Sequence, residues 1–502
     1  MAKDTEEGDQ REQALLSVAR GAFLFFLGNF SSKILKFVFN LIMTNVLGAS
    51  LFGIYSYATT IKRIVISLAQ LGTGKALLKF IPSAKENPGR TNWVVSLAYI
   101  TGAAGSLFFG VVLYVLAPII NGATLGEPLL TEVLRIFAIV IPFNTLLYLT
   151  NETFRGLEKL RYRVAMRDVI KPLVQIVLVS IAFLLGYSLV GAVVALAIGG
   201  ILLFSLGIML LETQTDVRLT GQKEPGSKTE FYNFSIPLMT KDIGRILYNR
   251  IDIIMVGVFL TGATVGIYRV SMLLATVIAV PLAAVNQLFP PVASDLYSND
   301  RIDELESVYE ITTRWIVSGI IPPILVLILY APEILNLFGG EFSRGVTVLH
   351  LFVLAQLTNS AVGPSGFLLT MSGHQYLNMV NQLTLGILNT ILNYFLILEF
   401  GFLGAALATA GTLILINIVR VVEVYHFEKI TPYSSKFIKP ILSAFLTLPV
   451  VFSLDFFFSG NILLLIGSVT SLAVFAVFLY VQGVEQEDKD FFRENVVSQI
   501  KD

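Results

Sequence analysis

Apolar runs of about twenty residues recur along nearly the whole chain, and no other feature narrows the fold as sharply. A bilayer core roughly 30 Å thick offers backbone amides and carbonyls no water. A crossing segment must therefore satisfy them internally, as a helix, or within a closed barrel. The runs are continuous rather than alternating in polarity, which argues against a barrel. With 55% hydrophobic and 14% charged residues, the chain is more apolar than a soluble globular protein. An all-α polytopic membrane protein is expected, with membrane lipids around it and no nucleic-acid partner.

Breaking the runs at Gly, Pro, Asn and charge clusters gives fourteen transmembrane helices. They lie near 21–45, 52–74, 93–117, 130–154, 165–186, 189–211, 232–260, 264–293, 308–331, 345–370, 376–398, 402–426, 437–457 and 461–482. The first follows a polar, acidic leader (MAKDTEEGDQREQ) without a small-residue cleavage pattern, and so reads as a retained span. The absence of cysteine excludes disulfides, thiol catalysis and thiolate metal sites. Basic residues between spans gather on one side of the membrane, from Lys3 in the leader through Lys75, Arg155, Arg218, Arg301 and Lys429 to Lys501. The alternate connections carry only Arg344. The excess of positive charge in cytoplasmic loops then puts both termini in the cytoplasm of a cell in whose plasma or inner membrane the chain sits.

The stretch LGASLFGIYSYA, residues 47–58, returns as LTGATVGIYRVS, residues 260–271. Gly53, Ile54 and Tyr55 match Gly266, Ile267 and Tyr268 at an offset of 213, and Val190-Gly191-Ala192 matches Leu403-Gly404-Ala405 at the same offset. Six helices thus occur twice. Because six is even, both copies enter the membrane from the same side, as parallel repeats. The expected organisation is a leader at 1–20, a first lobe at 21–212, a polar linker at 213–230, a second lobe at 231–428, two unrepeated helices at 429–483 and a cytoplasmic tail at 484–502.

Eight basic residues fall inside the spans: Lys33, Lys36, Lys62, Arg63, Arg135, Arg245, Arg250 and Arg269. All but Arg135 lie on the first, second, seventh and eighth helices, the ones the echo pairs. A basic residue at mid-membrane costs about 2.5–3.5 kcal/mol, so it faces a wet cavity or a counter-charge. In the first helix Asn29, Lys33, Lys36 and Asn40 share a stripe at helical spacing, and in the seventh Lys241, Arg245, Tyr248, Asn249 and Asp252 share another. Tyr55, Thr59, Lys62 and Gln70 lie along one face of the second. Arg135 and Arg269, near the outer surface, read as snorkelling side chains. Arg250 lies off its stripe, and either a cavity role or a structural pair with a carboxylate fits it. Asp252 suits a coupling cation, a partner for Arg250 or a lock between lobes.

Guanidinium and ammonium groups in a partly water-excluded space suit phosphate and pyrophosphate, and amides and phenols suit sugar hydroxyls. A pocket for cationic drugs would carry carboxylates. Pro142, Pro172, Pro237, Pro281, Pro322 and Pro364 interrupt helices and supply bending points for alternating access. No GxxxxGK[ST] pattern is present, so an ion gradient or the membrane potential is the expected energy source, with Na+ or H+ as coupling ion and no further cofactor or metal centre. The outer connections are short and poor in carboxylates, which argues against an enzyme such as a membrane glycosyltransferase.

Fourteen spans arranged as six, six and two, LGASLFGIYSYA at the first turn, and NRIDIIMVGVFL from Asn249 to Leu260 resemble the polysaccharide flippases of the multidrug/oligosaccharidyl-lipid/polysaccharide (MOP) exporter superfamily. The resemblance implies a V-shaped pair of six-helix lobes like those of MATE transporters, with a central cavity between them. It also implies movement of an anionic lipid-linked oligosaccharide, a polyprenyl phosphate or diphosphate glycan, to the outer leaflet for surface glycan assembly. Lys33, Lys36, Lys62, Arg63, Arg245 and Arg250 are then the diphosphate candidates, with Asn29, Asn40, Tyr248 and Asn249 beside them. Glycan-assembly proteins are the implied partners of a monomeric transporter. The rival readings are a MATE-like cation-coupled antiporter for drugs or small molecules, and a scaffold for a synthesis complex.

Overall fold

The computed structural model describes residues 2–219, 224–248, 250–483 and 485, with the side chains of 2–30 and 240–249 left outside the description. Every regular element among the described residues is helical. Among the described residues ten helices are long and apolar enough to cross a membrane, or eleven if a bent pair counts as one span. The chain is a multi-pass membrane protein, and it packs as two compact units, 1–266 and 267–502.

In the first unit the helices are α1 (Ala2–Ala69), α2 (Thr73–Ser83), α3 (Pro88–Gly122), α4 (Pro128–Gly156), α5 (Leu160–Val164), α6 (Lys171–Leu184), α7 (Leu189–Gln214), α8 (Lys228–Tyr248) and α9 (Ile251–Phe259). α1 runs through what the sequence divides into two spans, broken only at Gly48, whose φ of 69° and ψ of 179° a glycine adopts without a Cβ penalty. Close helix approach follows from small residues. A Cβ on Gly105 would meet the Ala69 carbonyl, and one on Gly110 the Ala138 carbonyl. Polar side chains in this apolar packing bond locally, as Thr101 donates to the Leu97 carbonyl and Thr153 to that of Leu149. The linker folds back on the start of α3: Arg218 N donates to Asn92 Oδ1 at 2.8 Å, and Arg90 Nη1 to the Pro225 carbonyl at 3.2 Å. The first unit therefore continues through the linker into α8 and α9.

The helix α10 (Gly262–Ala275) straddles the border between the units. The second unit adds α11 (Val280–Ser298), α12 (Ile302–Leu329), α13 (Ala331–Asn336), α14 (Val346–Ala361), α15 (Ser365–Met371), α16 (Gln375–Phe400), α17 (Phe402–Glu428), α18 (Ile438–Ser453) and α19 (Gly460–Val481). The two unrepeated helices, α18 and α19, are tied to the rest by polar contacts. Tyr330 Oη donates to the Val451 carbonyl at 2.5 Å, and Ser471 Oγ caps the Pro322 carbonyl at 3.2 Å. Exposed Ile100, Leu107, Val111 and Ile119 on α3 and Leu383, Ile387 and Phe395 on α16 form the apolar rows that lipid covers.

Three segments that read as regular helices in the sequence depart from one, the first by its winding and the other two by a break. Residues 165–186 begin as a π-helical turn, Ala165–Ile170, ahead of Pro172. Residues 232–260 are interrupted just before Ile251, where α9 begins. Residues 264–293 bend by 56° at the break between Ala275 and Val280, just ahead of Pro281 in the first turn of α11. Pro364 likewise falls at the break between α14 and α15, whereas Pro142, Pro237 and Pro322 sit inside unbroken helices. A proline frees one backbone bond, and whether the helix breaks depends on what its neighbours supply in its place.

Candidate functional site

The charged candidates of the first unit gather around Arg63. Lys36 on the first leg of α1 is within electrostatic reach of Asp168, Arg167, Arg63 and Lys33. Lys62 is in reach of Lys171 and Arg63, Lys171 of Arg63, Lys36 and Arg167, and Arg250 of Arg63 and Asp252. Cations from both legs of α1, from the segment before α6 and from the start of α9 thus act on one another, with Asp168 and Asp252 as the carboxylates among them. Lys33, Lys36 and Arg63 are exposed, while Lys62, Lys171 and Arg250 are half-buried.

The π turn explains how the third element joins. Its wider register shifts the side chains that follow relative to an α-helix, and such turns recur at functional sites. Here it places Asp168 and Lys171 beside α1. Asp168 is 1% exposed; Arg167 Nε stands 3.4 Å from its Oδ1, and neither carboxylate oxygen accepts a hydrogen bond among the described residues. By sequence Arg167 and Lys171 fall among the six basic residues from Arg155 to Lys171 on the cytoplasmic side, and no pattern singles out Asp168. The one signal was the proline at 172 directly after the charges.

Other candidates have more local roles. The Lys62 ammonium lies 3.9 Å from the centroid of the buried Phe137 ring, a cation–π contact with α4. Asn40 Nδ2 donates to the Lys36 carbonyl at 2.6 Å, so its amide already serves its own helix. Tyr55 is 9% and Gln70 8% exposed, buried rather than lining an open face. Arg135 lies with its guanidinium 5.2 Å from the Tyr114 ring, and Arg269 Nη1 lies 3.7 Å from Met272 Sδ. Asp252, 3% exposed, sits in the first turn of α9 and accepts from the Ile253 amide at 2.8 Å. A carboxylate there also meets the positive end of the helix dipole. Residue Asn249 and the side chains of Asn29, Lys241, Arg245 and Tyr248 lie outside the described residues.

Comparison with solved structures gives the same fold, and comparison with known sequences gives relatives named as flippases. The chain is 25% identical over 409 residues to the probable low-salt glycan biosynthesis flippase Agl15 of Haloferax volcanii, covering 79% of this chain and 81% of that one. It is 28% identical over 188 residues to the probable flippase AglR of the same organism, covering 36% and 38%. Among solved structures it aligns with the lipid II flippase MurJ in an inward closed conformation at a TM-score of 0.71 and 16% identity, over 94% of this chain and 99% of MurJ. It also aligns with an inward-facing MATE multidrug transporter of the MOP superfamily at 0.67 and 16%, over 79% and 94%. The family model described as polysaccharide biosynthesis protein matches residues 18–295, more than half of the chain, and the chain belongs to that family.

Proposed function

We propose that the protein is a flippase that carries an anionic lipid-linked oligosaccharide from the inner to the outer leaflet by alternating access. The cluster centred on Arg63 carries this reading. Lys36, Lys62, Lys171 and Arg250 all feel its guanidinium, and the excess of cations over carboxylates sets the sign of the ligand. A phosphate 4 Å from one such cation gains about 4 kcal/mol of Coulomb energy at an effective dielectric near 20, before desolvation is charged against it. Two phosphates among several cations offset the cost of keeping those cations inside a membrane protein. The flippase names of the relatives support the same substrate class.

The broken helices fit the transport cycle. Gly48, the π turn at 165–170, the interruption before Ile251 and the bend ahead of Pro281 are points where a helix can pivot. Asp252, buried at the head of α9 beside Arg250, is the proposed site where a Na+ or H+ couples to the cycle, and both termini are read as cytoplasmic. The protein would work as a monomer in a cell membrane, handing its glycan to assembly proteins on the outer side.

The test is reconstitution in vesicles with a labelled polyprenyl diphosphate glycan. Arg63→Gln together with Lys36→Gln is expected to abolish appearance of label in the far leaflet at unchanged protein incorporation. Undiminished translocation by this double variant overturns the reading. The MATE-like fold keeps a second reading in view, antiport of a small cation. It predicts uptake of cationic dyes against an ion gradient and indifference to the same two substitutions.

A further inference from the structure

The second unit contains a partly open cavity of about 320 Å³ where α11, α14, α15, α16 and α17 converge, lined by Asn286, Asn359, Asn378, Gln382, Asn417 and Arg420 among others. That volume lies at the small end of ligand sites. Five amides and a guanidinium form its polar wall, and no carboxylate lines it. None of these residues belongs to the Arg63 cluster.

Asn417 is the informative residue. It is 1% exposed, and neither its Oδ1 nor its Nδ2 has a hydrogen-bond partner among the described residues. Asn286 Oδ1 is likewise without one. Other buried amides pair at least one end: Asn389 Nδ2 donates to Thr412 Oγ1 at 2.9 Å, Asn393 Nδ2 to the Asn389 carbonyl at 2.9 Å, and Asn151 Nδ2 to the Leu147 carbonyl at 2.8 Å. A buried amide with both ends unpaired is costly, and a cavity wall is where such a group can be satisfied by something that enters.

We infer that this cavity holds one pyranose ring, with Asn417 and Asn286 bonding its hydroxyls. An amide presents a donor and an acceptor side by side, matching a sugar hydroxyl, which is both. Arg420 on the wall, with no acidic lining, admits neutral and acidic sugars and disfavours amino sugars and metal cations. The cavity forms at the break between α14 and α15, where Gly363 with φ of 59° and Pro364 open the bundle, so the same local irregularity that weakens the helix makes room for the ring. The inference rests on the proposed glycan transport only for the source of the sugar; the recognition chemistry stands on the cavity itself.

The experiment uses the full chain in nanodiscs, titrated with a panel of methyl glycosides: glucoside, galactoside, mannoside and glucuronide, with glucosamine and sodium chloride as controls. Ligand-dependent shifts in unfolding temperature and calorimetric titration are the readouts. At least one methyl glycoside is expected to bind saturably, and Asn417→Leu to weaken it more than tenfold. The same substitution removes two unpaired polar atoms in a nearly isosteric side chain, so it is expected to raise the unfolding temperature of the ligand-free protein. Absence of saturable binding by the whole panel, unchanged binding by Asn417→Leu, or a lowered unfolding temperature in that variant each overturns the assignment. Stabilisation by sodium chloride alone that disappears in Asn417→Leu also overturns it, in favour of a cation. Because the Arg63 cluster shares no residue with this cavity, failure here leaves the translocation test untouched, and failure there leaves this one.

Discussion

Gly53 and Gly266, matched residues of the two echoed stretches, each lie against the chain that carries the other. A Cβ on Gly53 would fall 1.7 Å from the Gly262 carbonyl oxygen, and one on Gly266 would fall 2.2 Å from the Ala49 carbonyl oxygen. Ala49 and Gly262 are themselves equivalent at the offset of 213. The contact is therefore self-complementary: position 53 meets the counterpart of 49, and the counterpart of 53 meets 49. Both segments carry small residues four apart, the spacing that lets membrane helices touch backbone to backbone. The sequence repeat and the close packing have one physical cause.

The first prediction follows from that geometry. Gly53→Val is expected to destabilise the protein by at least the 1–3 kcal/mol typical of overpacking, because the obstacle is backbone that cannot rotate away. Gly411→Ala, at a position where a Cβ meets nothing within 4 Å, should leave stability unchanged or slightly improved. Unfolding temperatures in one detergent decide it, and equal values for the two variants would show that the close approach is absent in the membrane protein.

The apolar runs were legible because hydrocarbon imposes a length of about twenty residues on every helix that spans it. The echo was legible because a glycine forced by backbone contact leaves a fixed letter. The breaks were not. A π turn adds one residue to a ring of hydrogen bonds and leaves no mark on composition, so Arg167 and Lys171 count by sequence among the cytoplasmic basic residues, and nothing in the pattern points to Asp168 packed against α1. The interruption before Ile251 was hidden for a related reason, since NRIDIIMVGVFL is apolar enough to continue a helix. Side-chain partners were equally hidden: nothing in the spacing of Lys62 reveals Phe137, which lies on another helix.

The cation–π contact sets Lys62 apart from Arg63 in its surroundings. Arg63 is exposed and surrounded by other cations, whereas Lys62 is held on the Phe137 ring. Arg63→Gln is expected to slow translocation of a lipid diphosphate about tenfold to a hundredfold, the loss of one charge-assisted bond of about 1.5–3 kcal/mol. Lys62→Gln should slow it less and cost stability instead, roughly 0.5–2 kcal/mol. Flipping rates and unfolding temperatures measured on both variants check the split, and the reverse ranking would count against it.

Asp168 tempers the charge of the cluster. Its carboxylate is buried within reach of Arg167 and Lys36, so removing it leaves those cations to repel one another. Asp168→Asn is expected to unfold at a lower temperature in dilute buffer and to be stabilised by pyrophosphate more strongly than the unaltered protein, as the anion replaces the missing charge. An identical response to pyrophosphate in both proteins would place Asp168 outside the anion site.

A buried ion pair sits one helix away and supplies the contrast. Arg163 and Glu152 are each 6% exposed, with Nη2 4.0 Å from Oε1, and Arg155 adds a second contact to the same carboxylate at 3.5 Å. Removing one partner of a buried pair strands the other, at a cost of about 3–5 kcal/mol, whereas removing both relieves much of that penalty. Because Arg155 still contacts Glu152 when Arg163 is gone, the stranding variant is Glu152→Gln, which should be markedly less stable than the double variant Glu152→Gln with Arg163→Met, and a double-mutant cycle on unfolding free energies reads the difference. Translocation per correctly inserted molecule should be unaffected in both, because the pair acts between the end of α4 and the segment that leads into the π turn. A loss of rate at full insertion would instead show that Arg163 reaches the ligand along with Arg167 and Lys171, enlarging the anion site by one helical turn.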